Sequence, residues 1–226
     1  MIPIRDNRLD RYVPIVTWTI ILLNVILYVW DRNGHIFSGN VVFGDLMMRP
    51  QEVVQAVKNP SESFALVTVF TSMFLHSNPL HILGNMVFLL VFGGAVESAF
   101  GPLRFMIYYL FWGVAAAAAH IFVDPHSMIP TLGASGAIGG VLGCYFLLYP
   151  AQKVEIWIPF IFSFAVVSAW ILLGIWFLYQ IFIPQSGVAN WAHAGGFLAG
   201  MLSVLIAGGR TKILKGRDLA VDYEFE

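Results

Sequence analysis

Six stretches of this chain are apolar through nearly their whole length: 13–30, 80–96, 103–123, 135–149, 156–183 and 190–207. A helix needs roughly 20 apolar residues to cross a bilayer, so each stretch is expected to be one crossing. Polar and helix-breaking residues punctuate them. Arg5, Arg8 and Arg11 precede the first, and Asp31 and Arg32 follow it. Glu97 and Arg104 bracket a turn through Gly101 and Pro102, Asp124 and Pro125 end the third, and Pro150 ends the fourth. Lys153 and Glu155 mark a polar turn before the fifth, which runs 28 residues without a charge. That is longer than a bilayer requires and predicts a tilted helix. Between the first two stretches lies a mixed segment, too long for a simple connector. Within it, residues 50–58 repeat apolar positions at helical spacing and predict a short interfacial helix, and apolar content returns over 64–75.

Composition narrows the class. Of 226 residues, 58% are apolar and 11% charged, against about 25% charged in soluble domains. Such a chain cannot cover a folded surface with polar groups, which excludes a soluble globule and a disordered chain. The expected fold is all-α and integral to the membrane: one six-helix bundle with a long first loop over residues 1–209, then a polar tail over 210–226. The first apolar stretch lacks a small-residue cleavage site and is expected to be retained. A net charge of −1 without a basic block argues against nucleic acid. The single cysteine, Cys144, lies in an apolar run and is expected to be a buried small apolar residue. Nine of the twelve lysines and arginines fall on the side that holds both termini. The positive-inside tendency therefore puts both termini in the cytoplasm and the long first loop outside.

With that orientation, stretches two, four and six all run from outside to inside, and their opening turns share one depth. The unusual polar residues sit there: His81 and Asn85, preceded by His76; Ser135; and His193 one turn into the last stretch. Polar groups in hydrocarbon cost about 2–3 kcal/mol each and are usually functional or paired. A serine beside a histidine is the arrangement of acyl transfer, because the hydroxyl is a poor nucleophile until a base takes its proton. Ser135 stands at a loop-to-helix junction, where free N–H groups can face an oxyanion. His81 and Asn85, four residues apart on one helical face, can donate to the same charge. No acidic residue is expected near this depth, so the site reads as a Ser–His dyad needing no cofactor. Gly139 and Gly143 continue the face of Ser135, and Gly196 and Gly200 that of His193, which lets two helices approach closely.

These residues resemble the rhomboid family of intramembrane serine proteases. The resemblance rests on Gly133-Ala-Ser135-Gly136, on Ala192-His193-Ala-Gly-Gly196-Phe-Leu-Ala-Gly200, and on His76-Ser-Asn-Pro-Leu-His81-Ile-Leu-Gly-Asn85. It implies Ser135 as nucleophile and His193 as general base. It further implies an oxyanion held by the Ser135 N–H with His81 and Asn85, and His76 as a supporting histidine that organises the first loop. Substrates would be membrane proteins cut in or beside a transmembrane segment, in a bacterial-type cytoplasmic membrane, with the site opening outward. The loop at 184–188 would cap the site, and the fifth helix would be a lateral gate. The chain departs from the family pattern at Gly139, where a tyrosine often stacks on the catalytic histidine. Met47-Met-Arg49 only loosely echoes a Trp-Arg pair, and Arg49 is given no role.

Bland readings stand beside these. Ser135 alone could be a helix N-cap, and His193, His81 and Asn85 could be interhelical glue. His35 and His126 read as solvated, His120 as interfacial, and the aromatics Trp157, Phe160, Phe162, Trp170, Trp176, Phe177 and Tyr179 mostly as lipid-facing or interfacial. Zinc is the rival chemistry for paired histidines, but the chain has no His-Glu-x-x-His, so no metal is expected. A pseudoprotease of the same fold would usually lack the serine or histidine. A channel would spread its polar residues through the membrane depth.

Overall fold

The computed structural model describes residues 1–6, 12–37, 41–59, 61, 63–183, 185 and 187–215. Its helices are α1 (Ile15–Asp31), α2 (Pro50–Lys58), α3 (Phe64–Thr71), α4 (Pro79–Phe100), α5 (Pro102–Val123), α6 (Ser135–Leu148), α7 (Ala169–Phe182), α8 (Asn190–Ile206) and α9 (Gly209–Ile213). Three strands, β1 (Ile2–Asp6), β2 (Lys153–Ile158) and β3 (Ser163–Ser168), form an antiparallel sheet in the order β1-β2-β3. α4 and α5, 22 residues each, are long and apolar enough to cross a membrane; α1, α6, α7 and α8 are shorter apolar helices. Large apolar side chains such as Leu80, Leu103, Phe122, Phe182 and Ile206 remain exposed on the outside. An apolar exterior of this extent suits lipid, not water.

Local chemistry explains the helix ends. Asn78 caps α4, its side chain accepting from the His81 N–H at 2.9 Å, with Pro79 in the first turn. α4 turns into α5 through Gly101 at φ +84°, a backbone conformation that suits glycine, and Pro102 starts the next helix. The expected interfacial helix is α2, and it packs Pro50, Val53 and Ala56 inward.

The fifth apolar stretch departs from expectation. Residues 156–183 are not one long tilted helix. Their first part belongs to a β-hairpin, and helix resumes only as α7, 14 residues long. At 1.5 Å per residue α7 is about 21 Å long, so no excess length is left to tilt. The reason is local. Pro159 interrupts any helix through this region, and residues 153–158 alternate. Val154 and Ile156 are buried, whereas Lys153 and Glu155 point outward. Phe162 turns the hairpin at φ +46°. The expected all-α fold is therefore helical with a small sheet. The sheet takes in the N-terminal residues through β1, where Arg5 pairs with Glu155 at 2.7 Å. Arg8 and Arg11 lie outside the described residues.

Glu97 flanks the Gly101 turn as expected, and it does so from within α4, fully buried. Its carboxyl accepts from the N–H groups of Val16 and Thr17 (3.0 and 2.7 Å), the Thr17 hydroxyl (2.8 Å) and the Tyr12 hydroxyl (3.0 Å). Two of these are N–H groups at the start of α1, which lack partners within their own helix, and an acidic group there also complements the helix dipole. Glu97→Leu strands these donors and should cost about 2–4 kcal/mol of stability. Arg5→Ala, which breaks an exposed pair, should cost less than about 1 kcal/mol. Thermal unfolding of the two variants in one detergent checks the ranking.

Packing continues past residue 209. Leu214 is buried, and Arg210 Nε donates to the Leu148 carbonyl at 2.8 Å, satisfying the end of α6. Residues 216–226 of the expected tail lie outside the described residues.

The core lies between α4, α5, α6 and α8, around Phe92, Trp112, Leu142 and Tyr145. α6 and α8 make the most extensive helix contact. They run parallel, because successive glycines match in order. A Cβ on Gly196 would overlap the carbonyl of Gly136, and one on Gly200 that of Gly140. Cys144 is buried in this seam, its thiol donating to the Gly200 carbonyl.

Candidate active site

α6 begins at Ser135, two residues after Gly133 at φ +121°. The N-cap position is Ala134, so the serine is not the cap. Instead its Oγ lies 2.7 Å from Nε2 of His193, one turn into the parallel helix α8. Glycine makes this distance possible. At Gly139 a Cβ would stand 2.8 Å from the His193 carbonyl, so the helices meet backbone to backbone just below the pair. The same contact excludes a tyrosine at 139. Aromatic cover of His193 comes from α7, whose Trp176 stacks on the imidazole at 5.9 Å between centroids and 30° between planes. Trp176 thus faces inward, as does Phe177, which stacks on Phe197 at 4.7 Å.

His81 and Asn85 reach the same place from α4. Gly133 lies against them: a Cβ there would be 2.7 Å from His81 Nε2 and 3.6 Å from Asn85 Nδ2. Asn85 Nδ2 is buried with no hydrogen-bond partner. The tautomer of His81 follows from its surroundings. The Ser77 N–H approaches His81 Nδ1 at 3.4 Å and the Ser77 hydroxyl at 3.0 Å. Asn78 Nδ2 donates to that hydroxyl oxygen at 3.1 Å, leaving its hydrogen for the imidazole. Nδ1 is then an acceptor, and Nε2 carries the proton toward Gly133. Two N–H donors therefore converge beside Ser135.

His76 is buried, its ring edge-on to His81 at 5.1 Å. Burial, and next the His81 ring, push it down to about 3, so it is neutral at physiological pH and does not repel a neighbouring charge. Its carbonyl and that of Ser77 accept from Arg32 Nη2 at 2.6 and 2.8 Å. Arg32 is in turn paired with Asp31 at 2.7 Å, both fully buried. These two charges, which the sequence places only as the edge of the first apolar stretch, hold the backbone that carries His76 and Ser77. The first loop grips the approach to Ser135 as well. Met48 and Thr131 pair through both backbone bonds, and the Gly133 N–H donates to the Ser72 carbonyl at 2.9 Å.

A cavity of about 740 Å³ opens over the pair, lined by Ser135, His193, His81, Asn85, Trp176 and His120 among others. His120 faces this cavity instead of only a membrane interface. His35 and His126 are exposed. Of the loop expected to cap the site, Gly187 and Val188 line the cavity; Pro184 and Ser186 lie outside the described residues.

Sequence reasoning missed Gln180. Its Oε1 is 2.8 Å from His193 Nδ1. A signal was available, since an amide in a charge-free apolar stretch is as costly in hydrocarbon as the residues that were singled out.

A buried donor without a partner makes Asn85 testable on its own. Removing an unsatisfied buried group should leave stability unchanged or slightly raised. Melting curves of wild type and Asn85→Ala check this.

Residues 63–210, well over half of the chain, match the Rhomboid domain family. The chain belongs to the rhomboid family and is an integral membrane protein. It is 32% identical over 141 residues to the Rhomboid protease GluP of Bacillus subtilis, covering 62% of this chain and 26% of that one. It is 30% identical over 132 residues to RHOMBOID-like protein 5 of Arabidopsis thaliana, covering 58% and 41%. Against the mitochondrial Rhomboid protein 1 of Saccharomyces cerevisiae it is 30% identical over 148 residues, covering 60% and 40%. The chain thus spans less than half the length of these relatives.

Proposed function

We propose that this chain is an intramembrane serine endopeptidase that hydrolyses peptide bonds in or next to transmembrane segments, using a Ser135–His193 dyad. The observation that carries the reading is the 2.7 Å contact between Ser135 Oγ and His193 Nε2, beside two N–H donors that have no other work. Ser135 Oγ attacks the scissile carbonyl as His193 Nε2 takes its proton. The carbonyl oxygen becomes an oxyanion facing His81 Nε2–H, Asn85 Nδ2–H and the N–H of Ser135. Collapse expels the amine, which receives the proton from His193 and leaves an acyl-enzyme. Water then attacks that ester, giving its proton to His193, and the new carboxyl end departs as Ser135 is restored.

A helical peptide bond is hydrogen-bonded and shielded, so the substrate must unwind locally, which favours small or helix-breaking residues near the cut. We further propose six crossings by α1, α4, α5, α6, α7 and α8 in a bacterial-type cytoplasmic membrane, with both termini cytoplasmic and the cavity facing outward. The distribution of charge supports this. Arg5, Lys153 and Arg210 belong to the sheet and the far end of α6, whereas Arg32 belongs to the end that bears the dyad.

The test is purified protein in proteoliposomes with a single-pass substrate carrying a helix-breaking residue. A fluorophosphonate probe is applied to the same sample. Cleavage inside or beside the segment, together with probe labelling at Ser135, is expected. Folded protein that neither cleaves nor labels would sink the reading.

A further inference from the structure

We infer that Gln180 is a positioning residue for the base: it fixes the tautomer of His193 so that the lone pair of Nε2 faces Ser135. This rests on the proposed dyad and extends it. An imidazole can take the serine proton only if Nε2 is unprotonated, and in a neutral ring that requires the proton on Nδ1. Among the described residues no carboxylate contacts His193 to enforce this; the contact at Nδ1 is the Gln180 side chain, at 2.8 Å.

Which end of the amide faces the ring decides everything. Were Nε2 of Gln180 turned toward His193, it would donate to Nδ1 and drive the proton to the catalytic nitrogen. The surroundings select the other orientation. The amide nitrogen of Gln180 faces the Trp176 carbonyl oxygen at 3.4 Å, an acceptor one turn back on the same helix. The nitrogen belongs there and the oxygen faces Nδ1, which must then donate.

The helix that carries Gln180 is itself tied to the helix that carries His193. Asn190, at the start of α8, donates from Nδ2 to the backbone carbonyls of Gln180 and Ile183, each at 3.2 Å. These are carbonyls at the end of α7 that lack helical partners. Trp176, one turn before Gln180, stacks on the same imidazole. Two side chains of α7 thus fix the plane and the tautomer of His193, and a third from α8 fixes the position of α7. Gln180 is buried, so water does not compete for the bond.

The test compares wild type with Gln180→Met, which keeps the side chain's length but removes the acceptor, and Gln180→Glu, which restores an acceptor. A wrong-tautomer base costs a Ser-His-Asp hydrolase about 10⁴ in kcat; an unguided imidazole here still visits the productive tautomer, so Gln180→Met should lose about 10- to 100-fold. That loss should appear in kcat with KM within about twofold, because Gln180 does not line the cavity; the stranded Nδ1–H should lower the melting temperature modestly, and Gln180→Glu should restore it. Gln180→Glu should recover most of kcat. Gln180→Met with wild-type kcat, or Gln180→Glu as impaired as Gln180→Met, would overturn the assignment. Should Gln180→Met fail to fold, the ¹⁵N spectrum of His193 in the wild type decides: a protonated Nδ1 supports the role, and a protonated Nε2 refutes it. Failure of the dyad reading is distinguishable, since it shows as probe labelling that survives in Ser135→Ala whatever Gln180 does.

Discussion

Ser135→Ala and His193→Ala should each lower turnover by about 10⁴- to 10⁶-fold, and the double variant should be no worse than either alone. The reason is that nucleophile and base act as a unit. Without the hydroxyl His193 has no proton to accept, and without the imidazole the hydroxyl stays a weak nucleophile. Residual rates should therefore coincide, set by the remaining N–H donors and by substrate positioning. Melting temperatures separate this from misfolding. Ser135→Ala removes one hydroxyl from a cavity wall and should melt like wild type. His193→Ala also removes the ring between Trp176 and Gln180 and should melt somewhat lower. A double variant markedly slower than both singles would mean that the two residues contribute independently, contrary to the dyad.

The second large effect concerns stability. Gly200→Ala should destabilise the protein by about 3 kcal/mol or more, at or beyond the upper end of the cost of overpacking a core. Its Cβ would overlap the carbonyl of Gly140, and a backbone carbonyl within a helix cannot rotate away as a flexible side chain can. α6 and α8 would have to separate along the seam that also holds Ser135 against His193, so activity should fall together with the melting temperature. Gly84→Ala is the matched control. It is also a helical glycine, but a Cβ there meets nothing within 4 Å, and it should melt at or slightly above wild type. Equal melting temperatures for the two variants would show that the seam tolerates separation.

The site was legible in the sequence to the extent that its parts were unusual. Ser135, His193, His81 and Asn85 stand out because polar groups are rare and costly in apolar stretches, and the proposed alternating crossings would put them at one depth. The glycines at 139, 143, 196 and 200 stand out for the same reason of contrast, and the structure sets each against the facing helix backbone. Gln180 had the same signal, but it lies outside the motifs. Glu97 was visible as the charge before the Gly101 turn, but its bonds to the start of α1 were not, because they form only once that helix packs against α4. The hairpin was lost for a different reason. Charge and hydropathy are blind to the difference between an apolar strand and an apolar helix, and only Pro159 and the alternation over 153–158 carried it.

What the sequence determined by itself is set by single residues and their immediate spacing: a membrane class from the scarcity of charge, most helix positions from apolar runs, and a serine and a histidine as candidate nucleophile and base from residue type. Those properties are local or additive along the chain. What only the tertiary structure decided depends on two distant groups sharing one point in space. The tautomers of His81 and His193 are of this kind, set by Ser77 and Gln180, as is the aromatic cover that Trp176 supplies in place of residue 139. So is the buried Asp31–Arg32 pair that holds the His76–Ser77 backbone. Hydrogen-bond direction and steric overlap act over a few ångströms and fall away beyond that. They come into force only once the helices have packed.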